Sequence, residues 1–407
     1  MANDIKPFKI AVPDAAIDNL KSKLADASFA EPVEFSDDWN YGSPLTDVQR
    51  LAKRWHNGFD WRKQEAKLNE LPQFTTPIPV DGFDTLNIHF VHQKSAKPGS
   101  IPLLFVHGWP GSFYEVIKIL PLLTASKKGA PSFHVVAPSL PNFGFSDAVQ
   151  KKGFSIPQYA EVVHKLMLKL GYDQYVTQGG DWGFMITRFV GAAYPKHCLA
   201  SHVNFLRVHS APTFSKSPLL YLRQALTPWS ALDKAGIART TWFRQEGFGY
   251  NMQQSTKPST LGFALADSPL ALLGWIYEKL HDWTDNYQWD DDEILTWISI
   301  YQFSVAGPAA SLRIYYETKH SQVDEYAQGV AYVPDVLLGV SLFPRDVVVP
   351  PRLWARLLGP VVFEVSHTKG GHFAAHERPE QLVEDLRQMF GRGGGANAVT
   401  KKFSSRL

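Results

Sequence analysis

Cysteine is almost absent: Cys198 is the only one in 407 residues. A disulfide framework within the chain is therefore excluded, as is a zinc site built on thiolates, and a reducing compartment fits. Charge of one sign is also lacking. The 41 Lys and Arg nearly balance the 39 Asp and Glu, for a formal charge of +2 with no long basic run, which leaves no electrostatic footprint for nucleic acid. Long apolar runs are missing too. The stretches Ile101 to Val106 and Pro269 to Tyr277 fall far short of the ~20 residues that a membrane helix requires. The amino-terminal segment carries Asp14, Asp18, Lys21 and Lys23 and no apolar signal core, so the expectation is a soluble, cytoplasmic protein without a membrane anchor.

What is plentiful is core material. Apolar residues make up 44% of the chain and aromatics 13%, with 12 Trp, enough to bury a large core and to line apolar pockets. The length exceeds what one minimal catalytic fold needs, so the surplus calls for a role. Residues 1–98 lack regular strand alternation and offer helical stretches at Asp14 to Ala25 and Leu45 to Phe59. From Thr85 short apolar strands alternate with helical patterns: Leu86 to His92, Ile101 to Val106, Phe133 to Ala137, Tyr175 to Gln178 and Ala200 to Phe205. That alternation predicts an α/β protein, with a mostly parallel sheet and helices on both faces. A helical, Trp-rich segment then interrupts the sheet over residues 207–328, before strands resume at Val336 to Leu342 and Val361 to Val365. The expected division is a leading segment (1–98), a core in two parts (99–206 and 329–390), an inserted helical cap (207–328) and a flexible Gly-rich tail (391–407).

Three motifs carry chemistry. Gln178-Gly179-Gly180-Asp181-Trp182-Gly183 lies between a strand and a helical run, the setting of a nucleophile elbow in which the flanking glycines permit a tight turn that lifts the central side chain above the sheet. Here that side chain is a carboxylate; the plainer role for Asp181 is a helix N-cap. Phe105-Val106-His107-Gly108-Trp109-Pro110-Gly111-Ser112 follows a buried strand and matches a turn that supplies half of an oxyanion hole, with the backbone N–H groups of Trp109 and Trp182 as expected donors. Gly370-Gly371-His372-Phe373 follows the last strand, where a base belongs. His372 ranks ahead of His367 and His376 because it alone sits in the Gly-flanked turn. Asp346, just beyond the strand Val336 to Leu342, is the expected orienting acid, ahead of Asp335 and Glu364. The order Asp181, Asp346, His372 is the nucleophile, acid, histidine order of the α/β-hydrolase fold.

A carboxylate nucleophile selects the reaction class. It attacks a saturated carbon that bears a leaving group, forming an alkyl ester on the enzyme, and water activated by His372 then hydrolyses that ester. An epoxide oxygen or a halide fits as the leaving group. The epoxide requires a proton donor, a task suited to tyrosine. His107-Gly108-Trp109-Pro110, Gly179-Gly180-Asp181-Trp182-Gly183, Tyr250 before Ser255-Thr256-Lys257-Pro258, Tyr315 and Gly370-Gly371-His372-Phe373 together resemble an epoxide hydrolase of the microsomal-type and fungal branch. The resemblance implies an α/β-hydrolase fold with an inserted helical cap and a wrapping amino-terminal segment. It further implies that Tyr250 and Tyr315 hold the epoxide oxygen, with Tyr316 as the local rival for the second position.

The chemistry so read uses no metal and no organic cofactor; its partners are a small apolar epoxide and water, and the resemblance implies a homodimer. The rivals are a haloalkane dehalogenase, in which the indole of Trp182 would hold a halide, and a non-catalytic ligand receptor on the same fold. The carboxyl-terminal Ser405-Arg406-Leu407 resembles the tripeptide read by the peroxisomal import receptor, with chance as the alternative for three residues.

Overall fold

Six consecutive apolar positions, Ile101–Val106, are buried without exception, as expected of a strand flanked by strands and covered on its faces. In the computed structural model, which describes residues 4–405, this segment is β4, inside a nine-stranded sheet. The other strands are β1 (Lys6–Pro7), β2 (Gln73–Ile78), β3 (Leu86–Gln93), β5 (Phe133–Pro138), β6 (Tyr175–Gly179), β7 (Cys198–Val203), β8 (Leu337–Leu342) and β9 (Val361–Ser366). Their order is β1-β2-β3-β5-β4-β6-β7-β8-β9. The first three pairings are antiparallel and the rest parallel. The helix Asp181–Ala193 leaves the end of β6 and packs on β4, β6 and β7.

The leading segment forms more than helices. Besides Asp14–Ala25 and Leu45–Asn57 it contributes β1 and β2 to the sheet, a correction to the absence of strands expected there. The polar residues and Pro77 of Gln73–Ile78 mask the alternation, and antiparallel pairing with β3 supplies the order that local propensity does not. The same segment grips the helices that lie between β7 and β8. The Trp55 indole donates to Ser299 Oγ at 3.2 Å, Tyr277 Oη donates to Asp47 Oδ2 at 3.1 Å, and Arg54 pairs with Asp292 at 3.0 Å.

The Gly-rich tail is a second correction. Residues 397–404 form a helix, Asn397–Ser404, whose Val399 and Phe403 are buried, and Thr400 donates to the Phe390 carbonyl at 2.6 Å. At Gly395 an added Cβ would meet the Val362 carbonyl, so this glycine serves close backbone approach rather than flexibility. Of the carboxyl-terminal Ser405-Arg406-Leu407, Ser405 is exposed, and Arg406 and Leu407 lie outside the described residues. Among the described residues no single helix is long and apolar enough to cross a membrane.

Candidate active site

The turn at the end of β6 is the tightest point of the fold. Gly180 is extended at the helix start, and Asp181 then adopts φ 49°, a left-handed conformation that is strained for a residue with a Cβ. Gly183, one position after Trp182, faces the Val106 carbonyl so closely that no Cβ fits there. The strand ends of β4 and β6 and the helix are thereby drawn together, and the Asp181 side chain is left projecting beyond the sheet. Asp181 is not a cap: Gly180 holds that position, and the Asp181 carboxylate accepts from the Trp109 amide of the neighbouring turn.

Each Asp181 oxygen meets a different partner. Oδ1 accepts from the Trp109 amide at 2.9 Å, and Oδ2 lies 3.5 Å from His372 Nε2. The Trp182 amide belongs to the first turn of the helix, where N–H groups have no partner within the helix. The turn that carries Trp109 is clamped from the inserted helices: the Trp297 indole donates to the Pro110 carbonyl and Tyr301 Oη to the Gly111 carbonyl, both at 2.5 Å. From below, His107 accepts the Leu140 amide at 3.1 Å. Burial pushes its imidazole down to about 4, so it is neutral near pH 7. With its carbonyls fixed in this way, the turn presents its amide toward Asp181.

His372 Nδ1 donates to Asp346 Oδ1 at 2.6 Å, and the same oxygen accepts the Val347 amide at 2.7 Å. Both side chains are almost fully buried. Burial alone would lower the imidazole pKa, but the Asp346 charge and the hydrogen bonds to Asp181 and Asp346 outweigh it and raise it to about 10. The ring is therefore a cation between two carboxylates while Asp181 is free.

Across Asp181 stand the two tyrosines. Tyr250 lies on the helix Gly249–Thr256 and Tyr315 on Arg313–Lys319, and these helices pack on each other. The Tyr250 ring stacks on Trp109 at 5.3 Å, and the Tyr315 ring stands edge-on to Trp109 at 5.8 Å and to Trp182 at 4.8 Å. Burial above all, reinforced by the charge of Asp181, holds both hydroxyls well above the ordinary tyrosine value, so both remain protonated donors. Tyr315 Oη and the Trp182 indole nitrogen are buried without a hydrogen-bond partner among the described residues. Both residues, with Tyr250 and Asp181, line a cavity of about 790 Å³ whose other walls include Phe205, Phe243 and Trp354.

The structure thus brings Asp181, Asp346, His372, Tyr250, Tyr315, Trp109 and Trp182 to one centre, and it seats the local rivals elsewhere. Tyr316 stacks on His320 at 4.0 Å, away from the cavity. His367 Nε2 bonds Asp385 at 2.7 Å, His376 Nε2 bonds Glu293 at 2.6 Å, Glu364 pairs with Arg356, and Asp335 is exposed. Three further residues went unread in the sequence. Tyr326 lines the large cavity beneath the Arg207 guanidinium, 4.6 Å from its ring. Lys279 is buried with its ammonium 5.3 Å from the Tyr250 ring centre. Glu115 stands against the Trp109 turn and feels the charges of both His372 and Asp181. Only Glu115, in the same run as the His107 motif, had a signal in its neighbourhood.

Comparison with known proteins places this centre in a family. Residues 5–116 match the family model described as epoxide hydrolase N terminus, and residues 101–204 match that of the alpha/beta hydrolase fold. The chain is 36% identical to epoxide hydrolase 1 of Sus scrofa over 411 residues, covering 95% of this chain and 88% of that one. The structure of the Aspergillus niger epoxide hydrolase superposes with a TM-score of 0.81 at 34% identity, covering 98% of this chain and 96% of that one. Juvenile hormone epoxide hydrolase from the silkworm Bombyx mori gives a TM-score of 0.86 at 29% identity, covering 99% and 95%. The chain belongs to the epoxide hydrolases, enzymes built here on the α/β-hydrolase fold.

Proposed function

We propose that this enzyme converts a small apolar epoxide and water to a vicinal diol through a covalent ester on Asp181. The observation that carries the proposal is the placement of the Asp181 carboxylate between the imidazole of His372 and the paired hydroxyls of Tyr250 and Tyr315, with a buried, unpartnered Tyr315 Oη on the far side. An epoxide oxygen seated between the two tyrosines would give that hydroxyl the well-aligned acceptor it lacks.

In the first step an Asp181 oxygen attacks an epoxide carbon, the C–O bond of the ring breaks, and a tyrosine proton passes to the leaving oxygen. Esterification removes the negative charge of Asp181. Two of the influences that hold His372 protonated are then lost, while burial continues to act against the cation. The ring can release its proton as the ester forms, restoring through solvent the tyrosine hydroxyl that gave up its own, and is then ready to accept one from water. Asp346 fixes the ring and stabilises the imidazolium that results. Water attacks the ester carbonyl carbon, and the amides of Trp109 and Trp182 hold the oxyanion.

A halide leaving group would need N–H donors but no acid, so the tyrosine pair separates the two chemistries. The test is turnover of a panel of aryl and fatty-acid epoxides and of haloalkanes by the wild type and by the double variant Tyr250→Phe, Tyr315→Phe. Diol formation that is lost in the double variant is expected; halide release that survives it would overturn the assignment. The same proposal extends to a homodimer, checked by light scattering, and to peroxisomal import through Ser405, Arg406 and Leu407, checked by a reporter carrying the tail with and without Leu407.

A further inference from the structure

We infer that Glu115 is a positioning residue for the water that hydrolyses the Asp181 ester, holding that water together with His372 in a small cavity on the opposite side of Asp181 from the epoxide. The inference rests on the ester route proposed above. Two cavities meet at the site, and among the described residues Asp181 is the one that lines both. The large one contains Tyr250 and Tyr315; the small one contains His372, Glu115, Asn204, Gly108 and Gly180. The nucleophile is thus shared by a large cavity that holds the two tyrosines and a small one that holds His372 and Glu115.

The small cavity measures about 10 Å³, at the lower limit of the roughly 10–15 Å³ that one water needs. Its polar groups also suit one water, which requires 2–4 hydrogen-bonding partners. The Asn204 carbonyl oxygen accepts from Gln178 Nε2 at 2.6 Å, and a Cβ on Gly180 would sit 2.8 Å from the Asn204 amide nitrogen. The Asn204 oxygen lies 2.9 Å from the same point, so the whole amide stands against Gly180, beside the cavity it lines. The Glu115 carboxyl lies over Gly111, whose added Cβ would strike Glu115 Oε1, and it is near enough to Asp181 and His372 to feel both charges. Burial pushes it up to about 8, so near neutrality it is mostly uncharged and can both accept and donate. It then adds no further negative charge beside Asp181.

A water bonded to the Glu115 carboxyl has its other hydrogen free for His372 Nε2 and its lone pair free for the ester carbonyl carbon of Asp181. Attack forms the new C–O bond, the proton passes to Nε2, and the carbonyl oxygen becomes the oxyanion. Collapse breaks the bond between that carbon and the alkyl oxygen, which takes the proton from His372 as the diol departs, and the Asp181 carboxylic acid left behind passes its proton to His372 to restore the carboxylate and the imidazolium. Glu115 ends in the protonation state in which it began.

The test is rapid-quench mass spectrometry of the alkyl-enzyme with a single epoxide, giving the rates of adduct formation and of adduct loss separately. In Glu115→Leu, loss of adduct slows by about 10- to 100-fold while formation stays near the wild-type rate, so adduct accumulates. Glu115→Gln, which keeps an acceptor and a donor, restores most of the loss rate. Gly111→Ala, which displaces the carboxyl while leaving the glutamate in place, slows adduct loss as Glu115→Leu does. Unchanged adduct loss in Glu115→Leu, formation and loss falling together, or no rescue by glutamine would each overturn the proposal. His372→Gln is the control: absence of adduct in that variant would overturn the ester route itself, and this inference with it.

Discussion

The two sides of Asp181 are built on opposite principles. On the sheet side, Asp346, His372 and Asp181 form a chain of partners at 2.6 and 3.5 Å, with the Trp109 amide at 2.9 Å completing it. On the side of the inserted helices, the Tyr250 and Tyr315 rings are packed edge and face against Trp109, and Tyr315 Oη makes no well-aligned hydrogen bond, with only the Tyr250 hydroxyl and the Trp182 indole in its reach. A satisfied chain of charges holds its geometry without a ligand, whereas a hydroxyl held unpartnered in an aromatic box is relieved only when an acceptor arrives. The first is suited to a group that must attack and be released; the second is suited to recognising an oxygen.

That contrast is open to breakage at several points. Asp181→Ala removes the group both sides serve, and turnover falls by on the order of 10⁵-fold or more, as seen when a nucleophile is deleted; steady-state diol formation measures it. His372→Gln acts on the sheet side only. Turnover falls by about 10³-fold, while the rate of ester formation in a single turnover changes far less. Tyr250→Phe or Tyr315→Phe acts on the other side and costs about 10²-fold in ester formation, with the hydrolysis of a preformed ester unaffected. Tyr316→Phe leaves both rates unchanged, because that ring stacks on His320 outside the cavity.

A smaller effect lies in stability. The His372 pKa is raised in the folded enzyme to about 10 from an ordinary 6.5. Proton binding therefore stabilises the fold fully below pH about 6.5, and that contribution is lost as pH rises through about 10. Urea midpoints measured between pH 6 and 10 should fall more steeply in the wild type than in His372→Gln.

The same contrast explains what could be read from the chain. The sheet side was legible because its parts are local: β4 is an unbroken apolar run, and the Asp181, His107 and His372 motifs each sit in a Gly-flanked turn at a strand end. Strand β2 was missed because Pro77 and a run of polar residues hide its pattern, and the docking of Val399 and Phe403 was missed because glycines used for close contact look like those of a flexible linker. On the insertion side, the choice between Tyr315 and Tyr316 depends on which face of Arg313–Lys319 packs on Gly249–Thr256, a tertiary fact with no local sign. Tyr326 and Lys279 are single residues without a motif, Glu115 lies just past the His107 motif without being part of it, and only the fold brings the three to the site.

The most direct test of the covalent route is one turnover in ¹⁸O-labelled water with enzyme in excess, followed by mass analysis of the peptide that contains Asp181. Label in the Asp181 carboxylate after that turnover, with the first diol unlabelled, is the predicted result. Label in the first diol and none in Asp181 would contradict the ester and place the attack of water directly on the epoxide.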